Sequence, residues 1–356
     1  MSHAENKEYF KGRGAQINTH NRFNSNRYVT EHIEGLDEEL YENTSTQLFY
    51  ETPKKIISTS NSPDLSFMHS INPYQGCEHG CLYCYARNAH EYWGFSAGLD
   101  FERKIIVKKN AAALLEEQLN KPGYQPAVIM LSGNTDCYQP IERKLRITRS
   151  LLEVFLKYKH PVSIISKNNL ITRDLDILEE LAKYDLVHVA VTINSLNEDL
   201  RQKLEPRTVT GRRRLKVITM LNSINVPVRL MMAPIIPFLN SDEIPDVIRS
   251  AADAGASAAS FTMVRLNGSI AEIFTDWIRK AYPDRAARVL HAIASCHGGK
   301  LNDSRWGSRM IGDGHIAESI HKLFSISVNR FMKGRCMRPI SVDHFAPAGG
   351  KQLGLF

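Results

Sequence analysis

Long hydrophobic runs are missing from this chain of 356 residues. No stretch of about 18 uninterrupted apolar residues occurs, because the nearest candidate, 217–239, is broken by Asn222, Ser223, Asn225 and Arg229. The first residues, MSHAENKEYFKGRG, also lack the apolar segment of a secretory signal. We therefore expect a cytoplasmic protein that makes no membrane contact.

Cysteine is scarce, with six in the chain, which excludes a small disulfide-stapled protein. In a long cytoplasmic chain, these cysteines indicate metal or redox chemistry rather than disulfides. A hydrophobic content of 43% excludes a wholly disordered protein. Lys and Arg number 45 against 38 Asp and Glu, and the resulting charge of +7 mildly favours an anionic partner.

No internal repeat is evident, and the composition of the sequence changes along its length. Residues 1–60 are polar and poorly periodic, with an acidic run at 31–42. We predict a weakly structured N-terminal extension there, which could wrap the main domain. We place the main domain at 61–268, a C-terminal helical region at 269–344 and a flexible tail at 345–356.

The main domain alternates short β-branched runs with helical patterns. The predicted strands are 126–131, 162–166, 186–193, 226–234 and 258–264. The predicted helices between them are 147–158, 175–184, 212–223 and 241–254, the last with Ser241 as N-cap. This alternation predicts a parallel sheet under helices. About six such units are too few for an eight-stranded barrel, so we predict an α/β fold, a partial (β/α)6 barrel with functional residues after its strands.

The densest chemical signal is the segment INPYQGCEHGCLYCYAR at 71–87. It spaces Cys77, Cys81 and Cys84 as C-x3-C-x2-C, and its glycines allow a tight loop. Thiolates are soft ligands that suit iron–sulfur clusters, zinc or copper(I). A cubane cluster normally takes four cysteines, so three would leave one iron open to a non-protein ligand.

Two less reactive interpretations of this segment stay open. One is a zinc site of the Cys3His type, completed by His79 or His90. The other is a purely structural cluster. Zinc motifs usually pair two short cysteine hairpins, and the sequence has no second one.

With Tyr83 before its last cysteine, the segment resembles the signature of radical S-adenosylmethionine (SAM) enzymes. The resemblance implies a 4Fe–4S cluster, SAM bound to its open iron and a partial (β/α)6 barrel. It also implies reductive cleavage of SAM to a 5′-deoxyadenosyl radical, and an electron donor of the flavodoxin or ferredoxin type.

Further motifs resemble the branch related to spore photoproduct lyase, described as DNA repair photolyase-like. They are SINPYQGCEHGCLYCYAR, GNTDCYQPIE with the following ITR, SKNNLITRDLDIL, HVAVTIN, LEPRT and APIIPFLN. This resemblance implies repair or modification of DNA or RNA, with a lyase-type reaction. The alternatives are radical chemistry on a protein or small metabolite, or a non-catalytic, metal-stabilised nucleic-acid-binding protein.

The resemblance also implies residues that hold SAM, each at or just after the end of a predicted strand except Tyr83. The carboxylate of Asp136 and the hydroxyl of Thr135 suit the SAM ammonium, and Lys167 suits its carboxylate or ribose. The full set comprises Tyr83, Asn134, Thr135, Asp136, Lys167, Thr192, Asn194 and Ala233.

Cys137 is the candidate catalytic residue, as a hydrogen-atom donor. Spore photoproduct lyase carries its donor cysteine at the place that Gly133 occupies here, and Cys137 lies on the other side of Asp136. An inert small side chain is the plainer interpretation of Cys137. We therefore do not expect this chain to reverse a photoproduct by the lyase route.

Basic residues and the C-terminal tail suggest partners. Basic clusters occur at 103–109, 143–149, 212–216 and 330–338, and they would attract a phosphate backbone if they converge. The tail ends in QLGLF, which resembles the peptide that docks bacterial repair proteins on the replication sliding clamp. The predicted docking residues are Gln352, Leu353, Leu355 and Phe356.

Overall fold

The computed structural model describes residues 12–23, 45–65 and 68–347. In these ranges the strands are β1 (Gln47–Tyr50), β2 (Ile57–Thr59), β3 (His69–Ile71), β4 (Tyr74–Gln75), β5 (Lys104–Val107), β6 (Ile129–Leu131), β7 (Val162–Ser166), β8 (Val187–Thr192), β9 (Val228–Ile235) and β10 (Ala258–Met263). The α-helices are α1 (Arg87–His90), α2 (Leu99–Arg103), α3 (Ala111–Leu119), α4 (Glu142–Leu145), α5 (Ile147–Lys157), α6 (Leu175–Ala182), α7 (Glu198–Leu204), α8 (Gly211–Ser223), α9 (Ile244–Asp253), α10 (Ile270–Ala281), α11 (Pro283–Ser295) and α12 (Gly314–Phe331).

One sheet forms the centre of the molecule, with the order β10-β9-β8-β7-β6-β3-β2. Strands β3 and β6 to β10 run parallel, and β2 pairs antiparallel with β3 at one edge. Six parallel strands joined by helices confirm the predicted α/β fold and its six repeating units. The observed strand order is open, with β10 and β2 at opposite edges.

The core lies between this sheet and its covering helices. Alternate residues of β9 explain the division: Val228, Leu230 and Met232 are buried among the helices, while Arg229 and Met231 on the other face are half-exposed. The apolar side chains of α9, among them Val247, belong to the same buried cluster as these residues of β9. A second apolar cluster joins α10 and α11 to the loop after β4. The face of the sheet that carries Arg229 and Met231 is therefore the more accessible one.

Loops connect the two open edges of the sheet. The backbone N–H of Met263 at the end of β10 donates to Met310 O at 2.8 Å. From the same loop, the N–H of Gly307 donates to Asp64 Oδ1 at 2.8 Å, and Arg309 forms an ion pair with Asp64, which follows β2. The gap between β10 and β2 is thus bridged by polar contacts between loops.

The segment after α12 crosses the end of the sheet at which β7 to β10 begin. Along it, Arg335 donates to Ala252 O at 2.6 Å and Arg338 to Asn225 O at 2.9 Å. The N–H of Ala346 then donates to Tyr158 O at 3.1 Å. As far as residue 347, where the described part of the chain stops, this strap lies at the end of the sheet opposite to the one where the parallel strands finish. The predicted docking residues of the tail lie outside the described residues.

One local expectation needs correction. Ser241 does not cap the helix: residues Ser241–Glu243 form a 3-10 turn, and α9 begins at Ile244 with a proline in its first turn. The Ser241 hydroxyl instead accepts from the N–H of Phe238 at 3.1 Å. Helix α12 lies within the predicted C-terminal helical region, 269–344, and packs on β10, with the ring centroids of Phe261 and Phe324 4.5 Å apart.

Within the predicted extension, residues 1–60, the described residues include two strands. Strand β1 joins β5 and β4 in a second, three-stranded sheet, and β2 joins the main sheet. Residues 12–23 lie against the loop after β4, and Ala15 is fully buried there. These short segments have no periodic hydrophobic pattern in the sequence. Contacts with residues distant in sequence stabilise them instead. Among the described residues, no helix is long and apolar enough to cross a membrane.

Candidate functional site

The three clustered cysteines lie on the loop between β4 and α1. Gly76 takes a φ of +76°, and a Cβ there would lie 2.9 Å from the Lys104 carbonyl oxygen. The N–H of Cys77 donates to Phe101 O at 2.9 Å, and the N–H of Leu82 donates to Leu204 O at 3.2 Å. These contacts fix the loop at both ends, and we call residues 76–87 the cysteine loop.

The thiols of Cys77, Cys81 and Cys84 are free and close to one another. Burial raises the pKa of Cys77 well above its usual range, and the neighbouring charges of Asp136, Cys81 and Cys84 raise it further. Burial likewise raises the pKa of Cys81 and of Cys84. A cationic metal centre would offset this cost by stabilising the thiolates, so the donor set fits a metal.

The zinc alternative finds no support in the described ranges. Within 12–23, 45–65 and 68–347, no three Cys, His, Asp or Glu side chains are arranged to hold one metal ion. A zinc site needs ligands within about 2.0–2.3 Å of a single ion. A cubane takes its thiolates on different irons, so its three cysteines need not meet at a single ion.

A buried ion pair supports the cysteine loop from beneath. Arg87 and Glu102 are both fully buried, with 2.6 Å between Nη2 and Oε1. The same guanidinium donates to the carbonyl oxygens of Cys81 at 2.9 Å, Ala97 at 3.0 Å and Gly98 at 2.9 Å. Arg87 therefore fixes the loop backbone directly at a cysteine.

Glu102 also binds the N-terminal segment to this loop. Its carboxylate accepts from the N–H groups of Gly14 at 3.0 Å and Ala15 at 2.7 Å. A Cβ on Gly14 would lie 1.7 Å from the carbonyl oxygen of Gly80, so only glycine fits at this crossing. Residues 14–15 consequently cover one side of the cysteine loop.

Asp136, a predicted SAM ligand, lies after β6 and already accepts several hydrogen bonds. Its oxygens accept from the Ser166 hydroxyl at 2.9 and 3.1 Å, the Lys167 N–H at 2.8 Å and the Tyr138 N–H at 2.9 Å. In the structure, Asp136 therefore connects the ends of β6 and β7. Its contact with the SAM ammonium stays a prediction.

His79 belongs to the same group, although sequence reasoning considered it only as a zinc ligand. Its Nδ1 lies 3.4 Å from Asp136 Oδ2, and its Nε2 lies 3.1 Å from Asn168 Nδ2. Burial lowers the pKa of His79, which favours a neutral imidazole. The imidazole thus connects the cysteine loop to the loops after β6 and β7.

Asn134 and Thr135 have structural partners close by. The N–H of Asn134 donates to Asn72 Oδ1 at 2.7 Å, and its side chain donates to Gln75 Oε1 at 3.1 Å. The hydroxyl of Thr135, which is buried, donates to Tyr74 O at 2.5 Å. Both residues therefore attach the loop after β6 to β4, and their SAM contacts stay predictions.

A buried network that the sequence did not reveal surrounds Tyr83. The Tyr83 hydroxyl donates to Glu205, and Asn194 Nδ2 lies 3.4 Å from that hydroxyl. Arg214 donates to Glu205 Oε2 at 2.6 Å and to Thr192 O at 3.0 Å. LEPRT contains Glu205, whose partner Arg214 is 9 positions away, whereas its partner Tyr83 is 122 positions away. The network holds the cysteine loop over the end of β8.

Two predicted SAM ligands keep polar atoms available at the ends of β7 and β8. The hydroxyl of Thr192, which is 1% exposed, has no hydrogen-bond partner among the described residues. Lys167 Nζ lies 5.9 Å from the Tyr83 ring centroid. Burial would lower the pKa of Lys167, but the charges of Cys81 and Glu205 raise it overall. The side chain of Lys167 therefore keeps its positive charge at neutral pH.

Ala233 and Asn194 lie at neighbouring strand ends. Ala233 is half-exposed on β9, and Asn240 fixes its surroundings by donating to Asn194 O at 2.8 Å and Pro234 O at 3.1 Å. The predicted ligands after β6, β7, β8 and β9 thus share one end of the sheet, and the cysteine loop covers it.

Cys137 lies in the main core rather than in this polar group. It is fully buried among residues such as Ile71 and Leu131. Its N–H donates to the Ser132 hydroxyl at 2.6 Å, and its carbonyl accepts from Thr148 at 2.6 Å. Burial raises the pKa of its thiol. A hydrogen-donor role stays a prediction.

Glu205 gives the site a measurable acid dependence. Burial opposes ionisation, but Arg214 and Lys167 lower the pKa of Glu205 from 4.5 to about 2. Its contribution to stability is complete above about pH 4.5 and disappears as the pH falls toward 2. We expect metal-free Glu205→Gln protein to be less stable than wild type at pH 7. The difference should shrink between pH 4.5 and 2, as measured by urea unfolding; a constant difference would contradict the shifted pKa.

The sequence of this chain is similar to those of known proteins. A sequence model described as the Radical SAM superfamily matches residues 71–251. An uncharacterized protein of Mycobacterium tuberculosis is 32% identical over 230 residues, which cover 64% of this chain and 68% of that protein.

The fold is also similar to solved structures. Spore photoproduct lyase complexed with dinucleoside spore photoproduct aligns with a TM-score of 0.59 and 16% identity, over 85% of this chain and 86% of that one. A variant of that enzyme with bound AdoMet and the same dinucleoside aligns with a TM-score of 0.54 and 15% identity, over the same shares. At this identity the similarity concerns the fold.

Proposed function

Because this chain belongs to the radical SAM superfamily and is therefore an enzyme of that class, we propose that it cleaves SAM reductively at the cysteine loop. Cys77, Cys81 and Cys84 would hold the 4Fe–4S cluster. When bound, the cluster supplies one electron that splits SAM into methionine and a 5′-deoxyadenosyl radical, which takes a hydrogen atom from the substrate. The placement of three free cysteines over one end of a parallel sheet, two of them buried and Cys84 half-buried, carries this proposal.

The strand-end residues provide what a zwitterionic nucleoside ligand needs. The ammonium of Lys167 suits the SAM carboxylate, and the Thr192 hydroxyl offers a donor and an acceptor that no described residue uses. The Tyr83–Glu205–Arg214 network would hold the loop backbone rigid during binding. Asp136 would act mainly by positioning Lys167 through its N–H.

A damaged or modified nucleic acid is our proposed substrate class. The support is the fold shared with spore photoproduct lyase, a structure that contains a dinucleoside spore photoproduct. The alternative is radical chemistry on a protein or a small metabolite. Docking of 352–356 on a sliding clamp likewise stays a prediction from the tail sequence, and cytoplasmic location a prediction from the chain as a whole.

The test is formation of 5′-deoxyadenosine by anaerobically reconstituted protein with SAM and dithionite. Wild type should release it, and Lys167→Met should raise the KM for SAM about 10- to 100-fold, since a charge-assisted hydrogen bond contributes about 1.5–3 kcal/mol. Iron content should not change, because Lys167 is not a proposed iron ligand.

Lys183→Met is the matched control, because Lys183 is an exposed lysine on the outer helix layer that pairs with Glu180. It should leave the KM for SAM at the wild-type value. Wild-type protein that binds iron but yields no 5′-deoxyadenosine would refute the proposed reaction. An unchanged KM in Lys167→Met would refute the assigned role of Lys167.

A further inference from the structure

We propose that Arg229 binds a phosphate group of the substrate on the more accessible face of the main sheet. We call this face, which carries Arg229 and Met231, the open face. The inference rests on the proposed function, because it assigns a site to one charged group of the proposed substrate class.

The strand register places Arg229 between two small side chains. Its partner on β8 is Ala190, and its partner on β10 is Ala258. Paired residues of neighbouring parallel strands point to the same face of the sheet and lie about 4.8 Å apart. Because both alanine side chains end at Cβ, they leave space on either side of the arginine stem that a larger side chain would fill.

The guanidinium group of Arg229 reaches toward the strand ends that carry the predicted SAM ligands. Its Nη1 donates to Ser260 Oγ at 2.6 Å, and Ser260 lies two residues beyond Ala258, the register partner of Arg229. Ser260 pairs with Met231, and Met231 pairs with Thr192. The charged group therefore contacts the row of the open face that contains Thr192.

No carboxylate in the part of the chain that the structure describes forms an ion pair with Arg229. The side chain is half-exposed, and its hydrogen-bond partner there is the neutral hydroxyl of Ser260. Burial lowers the pKa of the neighbouring His188, and the charge of Arg229 lowers it further. Asp185, the carboxylate that acts on His188, is paired with Arg338 at 3.2 Å. A guanidinium without a counter-charge on an accessible face favours an anionic ligand.

The donors at this position suit a phosphate group. A guanidinium offers five N–H donors in a planar fork, and Ser260 accepts from one of the two terminal nitrogens. Because the Ser260 hydroxyl is the acceptor in that bond, its own O–H stays available to a ligand. A phosphate can bind the fork through two oxygens and still present a third to the hydroxyl, whereas a carboxylate has two oxygens in all. Every nucleotide in a nucleic acid carries a phosphate, which agrees with the proposed substrate class.

The experiment measures the binding of thymidine 5′-phosphate and of thymidine to the anaerobically reconstituted, full-length protein by equilibrium dialysis. Wild type should bind the phosphate more tightly than the nucleoside. Arg229→Gln should raise the Kd for thymidine 5′-phosphate about tenfold and leave the Kd for thymidine unchanged, because it removes charge-assisted hydrogen bonds to the phosphate alone. Arg229→Lys keeps the charge but loses the fork, so we expect an increase of about threefold.

Ala258→Leu tests the same site without changing a charge. A leucine would fill the space beside the stem of Arg229, so the Kd for thymidine 5′-phosphate should rise about as much as in Arg229→Gln. This variant keeps the test decisive if urea unfolding shows that Arg229→Gln does not fold. Arg213→Gln is the matched control, because Arg213 is an exposed arginine on α8. It should leave both Kd values at the wild-type level.

Three results would overturn the proposal. They are equal Kd values of wild type for thymidine and its 5′-phosphate, equal losses in Arg229→Gln and Arg213→Gln, and Arg229-dependent binding of succinate without binding of thymidine 5′-phosphate. Dialysis does not depend on SAM cleavage, so the two proposals fail separately. Wild type that releases 5′-deoxyadenosine but does not bind thymidine 5′-phosphate refutes the phosphate site alone. Wild type that binds the phosphate through Arg229 but releases no 5′-deoxyadenosine refutes the proposed function instead.

Discussion

Replacement of Cys81 by alanine should reduce both bound iron and 5′-deoxyadenosine formation to background. Cys81 is the central thiol of the cysteine loop, 7% exposed and close to the other two cysteines. Two protein thiolates would remain where a cubane normally takes four ligands, so the cluster should not assemble. Iron content after anaerobic reconstitution, visible absorbance and 5′-deoxyadenosine yield are the measurements.

Cys336→Ala is the control for this experiment, because Cys336 is a free, exposed cysteine far along the chain. It should leave iron content and product at the wild-type level. A Cys81→Ala protein that still binds a full complement of iron would show that the ligands lie elsewhere. Equal losses in both variants would indicate damage by reconstitution rather than loss of a ligand.

Glu102→Gln should destabilise the protein by about 3–5 kcal/mol, because it leaves the buried guanidinium of Arg87 without a counter-charge. The carboxylate pairs with Arg87 at 2.6 Å and accepts from the N–H groups of Gly14 and Ala15. We therefore expect lower resistance to urea and faster trypsin cleavage at Arg13. Iron release to a chelator should also be faster, since Arg87 binds the carbonyl oxygen of Cys81.

Glu180→Gln removes the same charge from an exposed ion pair with Lys183, and it should change stability by less than about 1 kcal/mol. The contrast between the two variants isolates the effect of burial. If Glu102→Gln unfolds at the wild-type urea concentration, the buried pair does not support the cysteine loop as described.

The repeating part of the fold could be predicted because its signal is local. Strand 162–166 was predicted with the bounds of β7, and helix 212–223 begins one residue from α8. Apolar periodicity fixes such elements without knowledge of their partners. Ser241 shows the limit of this approach, because a serine before an apolar stripe also suits a 3-10 turn.

The candidate site was predicted in part, for a similar reason. Residues after strands are found by position alone, and Asp136, Lys167 and Thr192 meet at one end of the sheet as expected. Tyr83 and Glu205 are 122 positions apart, and no spacing rule indicates that they pair. Arg87 and Glu102 carry no motif that announces a buried ion pair. Such contacts depend on the packing of complete elements, which only the structure supplies.

The most direct test of the central claim is Mössbauer spectroscopy of protein reconstituted with 57Fe, with and without SAM. The account predicts a 4Fe–4S cluster in which one iron site, the one without a cysteine, changes its spectrum when SAM binds. The same spectrum in the presence and absence of SAM, or a cluster with every iron held by protein ligands, would contradict it.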